Sequence, residues 1–229
     1  MTAPAKAQHF WSLPDDHPSA IRLEKRRLAD VLRSLIALCV TTDAPDEELI
    51  GAIDDARAIV DRLEKWPRRT FEDAYASIHS PADAAAFADR GTLVGRANPI
   101  APPLSLTNEG ELSIATCTFG PAYEGAPGCV HGGLLAAAFD QLFGFIQVSR
   151  HVGSLTASLT VKYRKPTPID VPLRLEGKLE RVEGRKSWVS ARMLAHGEVT
   201  AEAEGLFVAL QQGQMNAIVE RHTRATEGH

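Results

Sequence analysis

The sequence has an ordinary globular composition and a small negative charge. Of its 229 residues, 44% are hydrophobic and 24% are charged, and the formal net charge is −4. This balance argues against a nucleic-acid-binding surface. The three cysteines lack the C-x-x-C spacing of zinc sites, and their odd number argues against a disulfide framework. No apolar run approaches the roughly 20 residues that span a bilayer, and the N-terminus lacks a signal-peptide core. We expect a cytoplasmic protein that binds neither membranes nor metals.

The first 90 residues predict an N-terminal helical extension. Apolar residues recur at intervals of three and four over residues 28–39 and again over 49–63, which is the pattern of amphipathic helices. Residues 42–45 separate these two helices and permit an antiparallel hairpin. A weaker third helix is predicted over roughly 70–90, with a break at Ser80-Pro81.

Residues 91–211 predict a domain of the α+β class, in which one antiparallel sheet wraps around one helix. The order is two strands, an apolar helix from about His131 to Val148, and four further strands in a meander. Apolar and polar residues alternate from 155 to 163, so Thr156 is expected on the polar face of its strand. A helix this apolar must be covered on most sides, and a curved sheet does that. Residues 212–229 are polar and are expected to form a tail.

The stretch from Glu124 to Asp140 carries the clearest chemical signal. A turn-forming run leads into His131, Gly132 and Gly133 at the start of the apolar helix, and Asp140 follows within that helix. The glycines leave backbone N–H groups uncovered at a helix start, where the helix dipole attracts negative charge. Such amides, together with a carboxylate in apolar surroundings, suit acyl transfer. The alternatives are structural: glycines that allow close packing, and an aspartate satisfied by hydrogen bonds.

The segment from Gly128 to Gly133, with Asp140 nine residues after the histidine, resembles the G-x-V-H-G-G motif of the hotdog-fold acyl-CoA thioesterases. The similarity is to the branch of the bacterial phenylacetate-pathway thioesterase and the human thioesterase-superfamily members, and it extends from about Pro99 to about Leu210. It implies a hotdog fold for residues 91–211. It also implies hydrolysis of acyl-CoA thioesters to free acid and CoA, a role in lipid metabolism, and CoA as part of the substrate rather than as a bound cofactor.

The resemblance implies a role for each residue of the motif. Asp140 corresponds to the family's nucleophile or general base, and we favour the base. An N–H of the Gly132–Gly133 pair polarises the thioester carbonyl, and His131 fits a positioning residue better than a reacting one. Thr156 matches a serine or threonine that orients the water or the aspartate, although a threonine in a strand also has a purely structural explanation.

The helix geometry adds a prediction about assembly. Nine residues at about 100° each turn Asp140 roughly opposite to His131, about 13 Å along the axis. Asp140 therefore cannot serve the glycine pair of its own helix, and a second subunit must supply it. We expect a homodimer, or a dimer of dimers, with composite sites and sheets joined edge to edge. Gly125 departs from the pattern, because some relatives carry Asn or Gln six residues before the histidine.

Four basic residues are candidates for binding the CoA phosphates: Arg164 and Lys165 at a strand end, and Arg185 and Lys186 on the next hairpin. Solvated surface charge is the alternative. Two other functions stay open: a non-catalytic acyl-CoA-binding hotdog protein, and a hotdog dehydratase or hydratase, which the motif spacing fits poorly. The N-terminal helices could cover the acyl channel, extend the dimer interface or cap the sheet, and the sequence does not fix the acyl chain length.

Overall fold

A computed structural model describes residues 18–148 and 154–211. The predicted tail, residues 212–229, lies outside the described residues. The described residues form five α-helices and six strands in this order: α1 (Ala20–Thr41), α2 (Asp46–Glu64), α3 (Phe71–Ala76), α4 (Pro81–Ala88), β1 (Ser105–Glu109), β2 (Leu112–Thr118), α5 (Gly132–Val148), β3 (Ser154–Tyr163), β4 (Pro172–Glu183), β5 (Lys186–Ala195) and β6 (Glu198–Ala209). A short 3-10 turn, Pro121–Tyr123, lies between β2 and α5. The boundaries at residues 90 and 211 stay predictions.

The two predicted N-terminal helices are present, and the third is divided at the predicted break. Thr70 begins α3 and Ser80 begins α4, each through a capping box in which its side chain accepts from the N–H of Asp73 or Asp83. The partner carboxylate accepts in return from the backbone N–H of the cap. Local hydrogen bonding of this kind fixes both helix starts without help from the core.

Helix α1 turns a polar stripe, rather than its apolar stripe, towards the rest of the chain. Arg26 and Ala29 are its buried residues. The Arg26 guanidinium donates to the Asp89 carboxylate at 2.8 Å. The Arg33 guanidinium reaches four backbone carbonyls, those of Gly95, Arg96, Asn98 and Ala101, at 2.9–3.3 Å. Polar contacts therefore hold α1 against the segment that leads into the sheet.

Most of the large apolar side chains of α1 and α2 are exposed. On α1 they are Ile21, Leu23, Leu28, Val31, Leu35, Ile36, Leu38 and Val40, and on α2 they are Leu49, Ile50, Ile53, Val60 and Leu63. Helix α2 has no buried residue. Among the described residues, no helix is both long and apolar enough to cross a membrane.

The six strands form one antiparallel sheet in the order β1-β2-β4-β5-β6-β3. The expected meander of four strands is therefore wrong for β3, which pairs with β6 and not with β4. The cause is that α5 crosses the sheet between β2 and β3 and delivers the chain to the far edge. β4, β5 and β6 form the meander, joined by tight turns at Gly184 and at His196-Gly197, where φ is positive.

The core lies between α5 and the concave face of the sheet. Phe139, Leu142 and Phe143 of α5 are fully buried there. Two strand glycines leave room for these side chains, because a Cβ on Gly205 would lie 2.8 Å from the Phe143 ring and one on Gly177 would lie 3.0 Å from Leu142. This packing fixes the direction of α5, and with it the positions of Gly132 and Asp140.

Candidate functional site

The loop before α5 is held by local hydrogen bonds. The Glu124 carboxylate accepts from the Gly128 N–H, and Gly125 and Cys129 are joined by a backbone hydrogen bond of 2.9 Å. A Cβ on Gly125 would lie 2.8 Å from the Cα of His131, so the loop folds closely against the start of α5. Glu124 and Gly125 thus shape the loop, and the Asn or Gln of some relatives would not fit at Gly125 without a shift.

His131 lies over the helix start. Its Nδ1 accepts a hydrogen bond of 3.1 Å from the Gly133 N–H. Because Nδ1 is an acceptor here, the neutral ring carries its proton on Nε2. The structure thus gives His131 a contact that positions the loop. It also shows that the Gly133 N–H is engaged, whereas the Gly132 N–H has no acceptor among the residues that the structure describes.

Tyr163, at the end of β3, is a site residue that the sequence reasoning did not identify. Its hydroxyl donates to the Gly132 carbonyl at 2.8 Å. The ring also lies against the glycine, because a Cβ added to Gly132 would be 3.2 Å from its Cζ. The sequence did contain one indication of this role. Tyr163 follows Val161 by two residues, so both side chains lie on the same face of β3, and Val161 packs against the core.

The structure brings Asp140 and Thr156 together. The Thr156 hydroxyl donates to Oδ1 of Asp140 at 2.8 Å. Asp140 is half-buried and Thr156 is exposed, so the carboxylate lies at the rim of the core beside the edge strand. Oδ1 of Asp140 is therefore occupied by Thr156, and the other carboxylate oxygen remains for a water or a substrate.

The expectation that Thr156 lies on the polar face of its strand is wrong. The register pairs Thr156 with Phe207 and Ser158 with Leu206, so Ala157 is an extra residue. This β-bulge interrupts the alternation and turns Thr156 towards the buried side of the sheet, where Phe207 lies. A strict period of two could not reveal the bulge, because the residues around it still alternate in polarity.

Gly132 and Asp140 lie at different ends of the site within one chain. Eight residues separate them along α5, which corresponds to about 12 Å. Tyr163, at one end of β3, contacts Gly132, and Thr156, near the other end, contacts Asp140. The geometry of a single chain thus agrees with the predicted separation of the carboxylate from the glycine amides.

The four candidate basic residues fall into two separate pairs. Arg164 and Lys165 line an open cavity of about 560 Å³ together with His131 and Gly132. They also form ion pairs at the surface, Arg164 with Glu202 at 2.7 Å and Lys165 with Glu198 at 2.9 Å.

Arg185 and Lys186 lie at the opposite end of β6. Both pairs can be located along β6, because Lys186 lies opposite Val208 of β6 and Tyr163, next to Arg164, lies opposite Ala201 of the same strand. Seven residues of strand correspond to about 24 Å, so the two basic pairs of one chain cannot hold the same phosphate group. Arg185 also donates to the Ala209 carbonyl at 3.1 Å.

The cysteines differ in their surroundings. Burial raises the pKa of the Cys117 thiol to about 12, while Cys39 is exposed. Cys129 lines the open cavity beside His131. Within residues 18–148 and 154–211, no cluster of three or more His, Cys, Asp or Glu side chains is placed to hold a metal ion.

Comparison with known proteins connects this geometry to a family. Residues 127–202 match the family model described as the thioesterase superfamily. Acyl-coenzyme A thioesterase THEM4 of Xenopus laevis is 38% identical over 98 residues, covering 41% of this chain and 44% of the relative. Acyl-coenzyme A thioesterase THEM5 of Homo sapiens is 32% identical over 103 residues, covering 42% of this chain and 41% of the relative. The chain thus matches less than half the length of these curated relatives.

Among solved structures, that of a thioesterase superfamily protein is similar over much more of the chain. It is 28% identical, the match covers 84% of this chain and 97% of that one, and the TM-score is 0.68. The match of residues 127–202 includes the glycine pair and Asp140. The six-stranded sheet around α5 agrees with the fold expected from the motif. The C-terminal half of the chain therefore has the hotdog fold, and residues 127–202 within it match the thioesterase superfamily model.

Proposed function

We propose that this protein hydrolyses acyl-CoA thioesters to a free acid and coenzyme A. The observation that carries the proposal is the Asp140 carboxylate, hydrogen-bonded to Thr156 and carried on the same helix that begins with the Gly132 amide. The names of the matched relatives support the substrate class. The presence of both the Gly132–Gly133 pair and Asp140 favours an enzyme over a protein that only binds acyl-CoA.

In the proposed reaction, Asp140 acts as a general base. Its free carboxylate oxygen takes a proton from water, and the water oxygen attacks the thioester carbonyl carbon. The tetrahedral oxyanion then collapses, the carbon–sulfur bond breaks, and CoA leaves as a thiolate that takes a proton from solvent. Asp140 returns to the carboxylate form by giving the proton that it took from water back to solvent. Thr156 holds the carboxylate in one orientation through Oδ1, which leaves the second oxygen directed to the water.

The Gly132 N–H is the proposed donor to the carbonyl oxygen. It lies at the first residue of α5, where unpaired amides and the helix dipole favour negative charge. Stabilising an oxyanion in this way often supplies the greater part of the rate acceleration in acyl transfer. The Gly133 N–H contributes only if it leaves His131, so we assign it the smaller part.

We further propose that the catalytic site is composite and forms across a homodimer. β3 is an edge strand with most of its residues exposed, and unpaired edges favour pairing with another strand. If two copies of β3 pair antiparallel about a two-fold axis, the Tyr163 end of one strand meets the Thr156 end of the other. That arrangement brings the Gly132 amide of one subunit towards the Asp140 carboxylate of its partner.

The substrate's phosphates are assigned to Arg164 and Lys165. These cations share the open cavity with Gly132, and phosphate oxygens would compete with the exposed carboxylates of Glu202 and Glu198 that now pair with them. Arg185 and Lys186 could reach the same phosphates only from the partner subunit. The cytoplasmic location and the role in lipid metabolism stay predictions.

The test of activity is thiol release from a panel of CoA esters, from short to long chains and including aromatic acyl groups. We expect wild-type turnover on at least one ester and loss of turnover in Asp140→Ala, with both proteins folded. Binding of CoA esters without any turnover by the wild type would instead identify a binding protein.

The composite site is tested with mixed subunits. Gly132→Pro removes the amide hydrogen at a first helical position, where the missing donor of proline is tolerated, and Asp140→Ala removes the base. A Cβ at Gly132 would lie 3.2 Å from the Tyr163 ring, so circular dichroism must first show that Gly132→Pro is folded. Each variant alone should be inactive. Co-expressed in equal amounts, they should recover about a quarter of the wild-type sites, because half of the dimers are mixed and each mixed dimer has one intact site. No recovery in purified mixed dimers would contradict a site shared between subunits.

A further inference from the structure

A cavity of about 390 Å³ lies in the helical extension and shares no residue with the open cavity at Gly132. Its lining comes from α1, from the segments before α3 and after α4, and from α3 and α4 themselves. The charged residues of the lining are four cations and two acids: Arg22, Lys25, Arg69, Arg90, Asp83 and Asp89. The cavity is therefore positive, although the whole chain has a net charge of −4. Its volume is in the range that small ligands occupy.

Local contacts bring the cations to one place. Arg22 and Lys25 are three residues apart on α1, so their side chains lie on the same side of the helix. Nε of Arg22 donates to the Asp89 carboxylate at 3.0 Å, and Arg90 is the next residue. The Arg90 guanidinium donates to the backbone carbonyls of Arg69 and of the residue that follows it, both at 3.1 Å. These contacts gather the four positive charges around one space.

Both acids of the lining already have partners. Asp89 is buried and accepts from the guanidinium groups of Arg22 and Arg26. Asp83 accepts from the backbone N–H and the hydroxyl of Ser80 in the capping box of α4, at 2.9 and 2.8 Å. Their negative charges are thus held by groups at the edge of the cavity.

The other three cations have no carboxylate partner. Within residues 18–148 and 154–211, Lys25, Arg69 and Arg90 form no ion pair, and Arg90 donates only to neutral carbonyls. The nearby Asp73 is engaged elsewhere, because hydrogen bonds with Thr70 are the main cause of the lowered pKa of its carboxyl and the charges of Arg69 and Arg90 contribute less. Like charges that are gathered without a counterion repel one another. An anion that enters the cavity would relieve this repulsion.

The rest of the lining indicates the kind of anion. Guanidinium and ammonium groups bind phosphate oxygens through charge-assisted hydrogen bonds, and a phosphate monoester carries a charge of about −1.5 to −2 at pH 7. The apolar part of the lining suits an organic group attached to that phosphate. It consists of Pro67, Ala74, Ala86, Phe87 and Ala97.

We propose that this cavity binds a phosphate monoester of a small organic molecule. Lys25, Arg69 and Arg90 hold the phosphate, and the organic group lies against Phe87 and the alanines beside it. A free nucleotide carries such a phosphate, and so does coenzyme A at its 3′ position. The site is separate from the candidate catalytic site, and it requires neither thioesterase activity nor a composite dimer.

Titration calorimetry of the full chain with adenosine monophosphate tests the site. We expect saturable binding of this nucleotide and none of adenosine. Lys25→Gln and Arg69→Gln should each weaken the affinity at least about threefold, the scale of one exposed charge pair, whereas Arg69→Lys keeps the charge and should retain most of it. These variants remove no hydrogen bond of the fold, and circular dichroism checks that each is folded.

Lys65→Gln is the matched control, because Lys65 is an exposed lysine outside this cavity, and it should bind the nucleotide like the wild type. Equal affinities of all these variants would overturn the proposal. So would the absence of saturable binding at millimolar adenosine monophosphate, or an adenosine affinity that Lys25→Gln lowers as much as that of the nucleotide.

Two forms of coenzyme A distinguish the sources of the phosphate. If the 3′-phosphate of coenzyme A occupies the cavity, Lys25→Gln should weaken binding of coenzyme A about threefold and leave binding of dephospho-coenzyme A, which lacks this phosphate, unchanged. If a free nucleotide occupies it, Lys25→Gln should weaken only the nucleotide. A protein without thioesterase activity would still give these binding results, so the proposed reaction and the proposed site can fail independently.

Discussion

The Thr156 hydroxyl donates to Oδ1 of Asp140 at 2.8 Å, although the two residues lie on different elements and are 16 positions apart. The contact exists because the bulge at Ala157 turns Thr156 towards the helix side of the sheet. A strand residue thereby fixes the orientation of a helix carboxylate. This relationship makes Thr156 a positioning residue for the proposed base.

Replacing Thr156 separates its positioning role from a structural one. Hydrogen bonds to charged groups contribute about 1.5–3 kcal/mol, so Thr156→Val should lower kcat roughly 10- to 100-fold, with a smaller change in KM. Thr156→Ser keeps the hydroxyl and should retain most of the activity. Steady-state kinetics of each variant provide the measurement, because a residue that positions the base should change kcat more than KM. If Thr156→Val and Thr156→Ser lowered kcat equally, the role of Thr156 would be limited to packing.

Removing the carboxylate should affect the reaction and not the fold. Asp140→Asn is expected to reduce turnover by at least ~10², the scale of losing a general base. Circular dichroism and the thermal midpoint should stay close to those of the wild type, because Asp140 is only half-buried. Asp43→Asn, an exposed carboxylate in the turn after α1, is the control and should be fully active. Unchanged hydrolysis in Asp140→Asn would remove this residue from the mechanism.

Tyr163→Phe tests the anchor at the helix start. Losing the hydrogen bond to the Gly132 carbonyl should lower the free energy of unfolding by about 0.5–1.5 kcal/mol, measured as a shift of the urea midpoint with an unchanged slope. Turnover should fall as well, because the Gly132 amide loses its fixed position. Tyr123→Phe removes a comparable hydrogen bond, to the Ile100 carbonyl, and gives the reference for stability. A stability loss in Tyr163→Phe without any loss of turnover would limit its role to the fold.

Two glycines should respond oppositely to alanine. Gly205→Ala places a Cβ 2.8 Å from the buried Phe143 ring, and such overpacking costs about 1–3 kcal/mol. Gly144 lies in α5, and a Cβ added there would have no heavy atom within 4 Å. Gly144→Ala should therefore raise stability by up to about 1 kcal/mol through helix propensity. Urea unfolding of both variants checks the pair, and equal shifts of the same sign would contradict this account of the core.

The partly buried thiol of Cys117 predicts a loss of stability at alkaline pH. Its pKa is about 12 in the folded chain against an ordinary value of 9.0, so the unfolded chain releases this proton first. The contribution is fully present below pH 9 and is lost as the pH rises from 9 to 12. At pH 10 the loss should reach about 1 kcal/mol. Cys117→Ala should show a smaller fall between pH 7 and pH 10 in urea titrations, and equal falls would contradict the assignment to this thiol.

Much of the hotdog domain could be predicted, because local patterns determine it. The apolar run of α5, the two-residue periodicity of the strands and the glycine turns each follow from short-range chemistry. The partner of β3 could not be predicted in the same way, since strand order depends on where α5 delivers the chain. The bulge at Ala157 was equally hidden, because polarity still alternates around it.

For the candidate site, the sequence predicted residues but not their contacts. The motif identified Gly132 and Asp140, but it did not show that His131 engages the Gly133 amide or that Tyr163 holds the Gly132 carbonyl. Both contacts join residues through the packing of the loop and β3 on α5. The outward apolar stripe of α1 was missed for a related reason, because periodicity identifies a stripe and does not say which neighbour will cover it.

The contacts of Arg33 with four backbone carbonyls have a consequence for the chain as a whole. The segment from Gly95 to Ala101 has no strand or helix of its own, so one guanidinium supplies the donors that a neighbouring strand would otherwise provide. Its shape is thereby made dependent on α1 being folded. Arg33 thus joins α1 to the entry into the sheet, beside the contact of Arg26 with Asp89. Melting of α1 would release both contacts at the same moment.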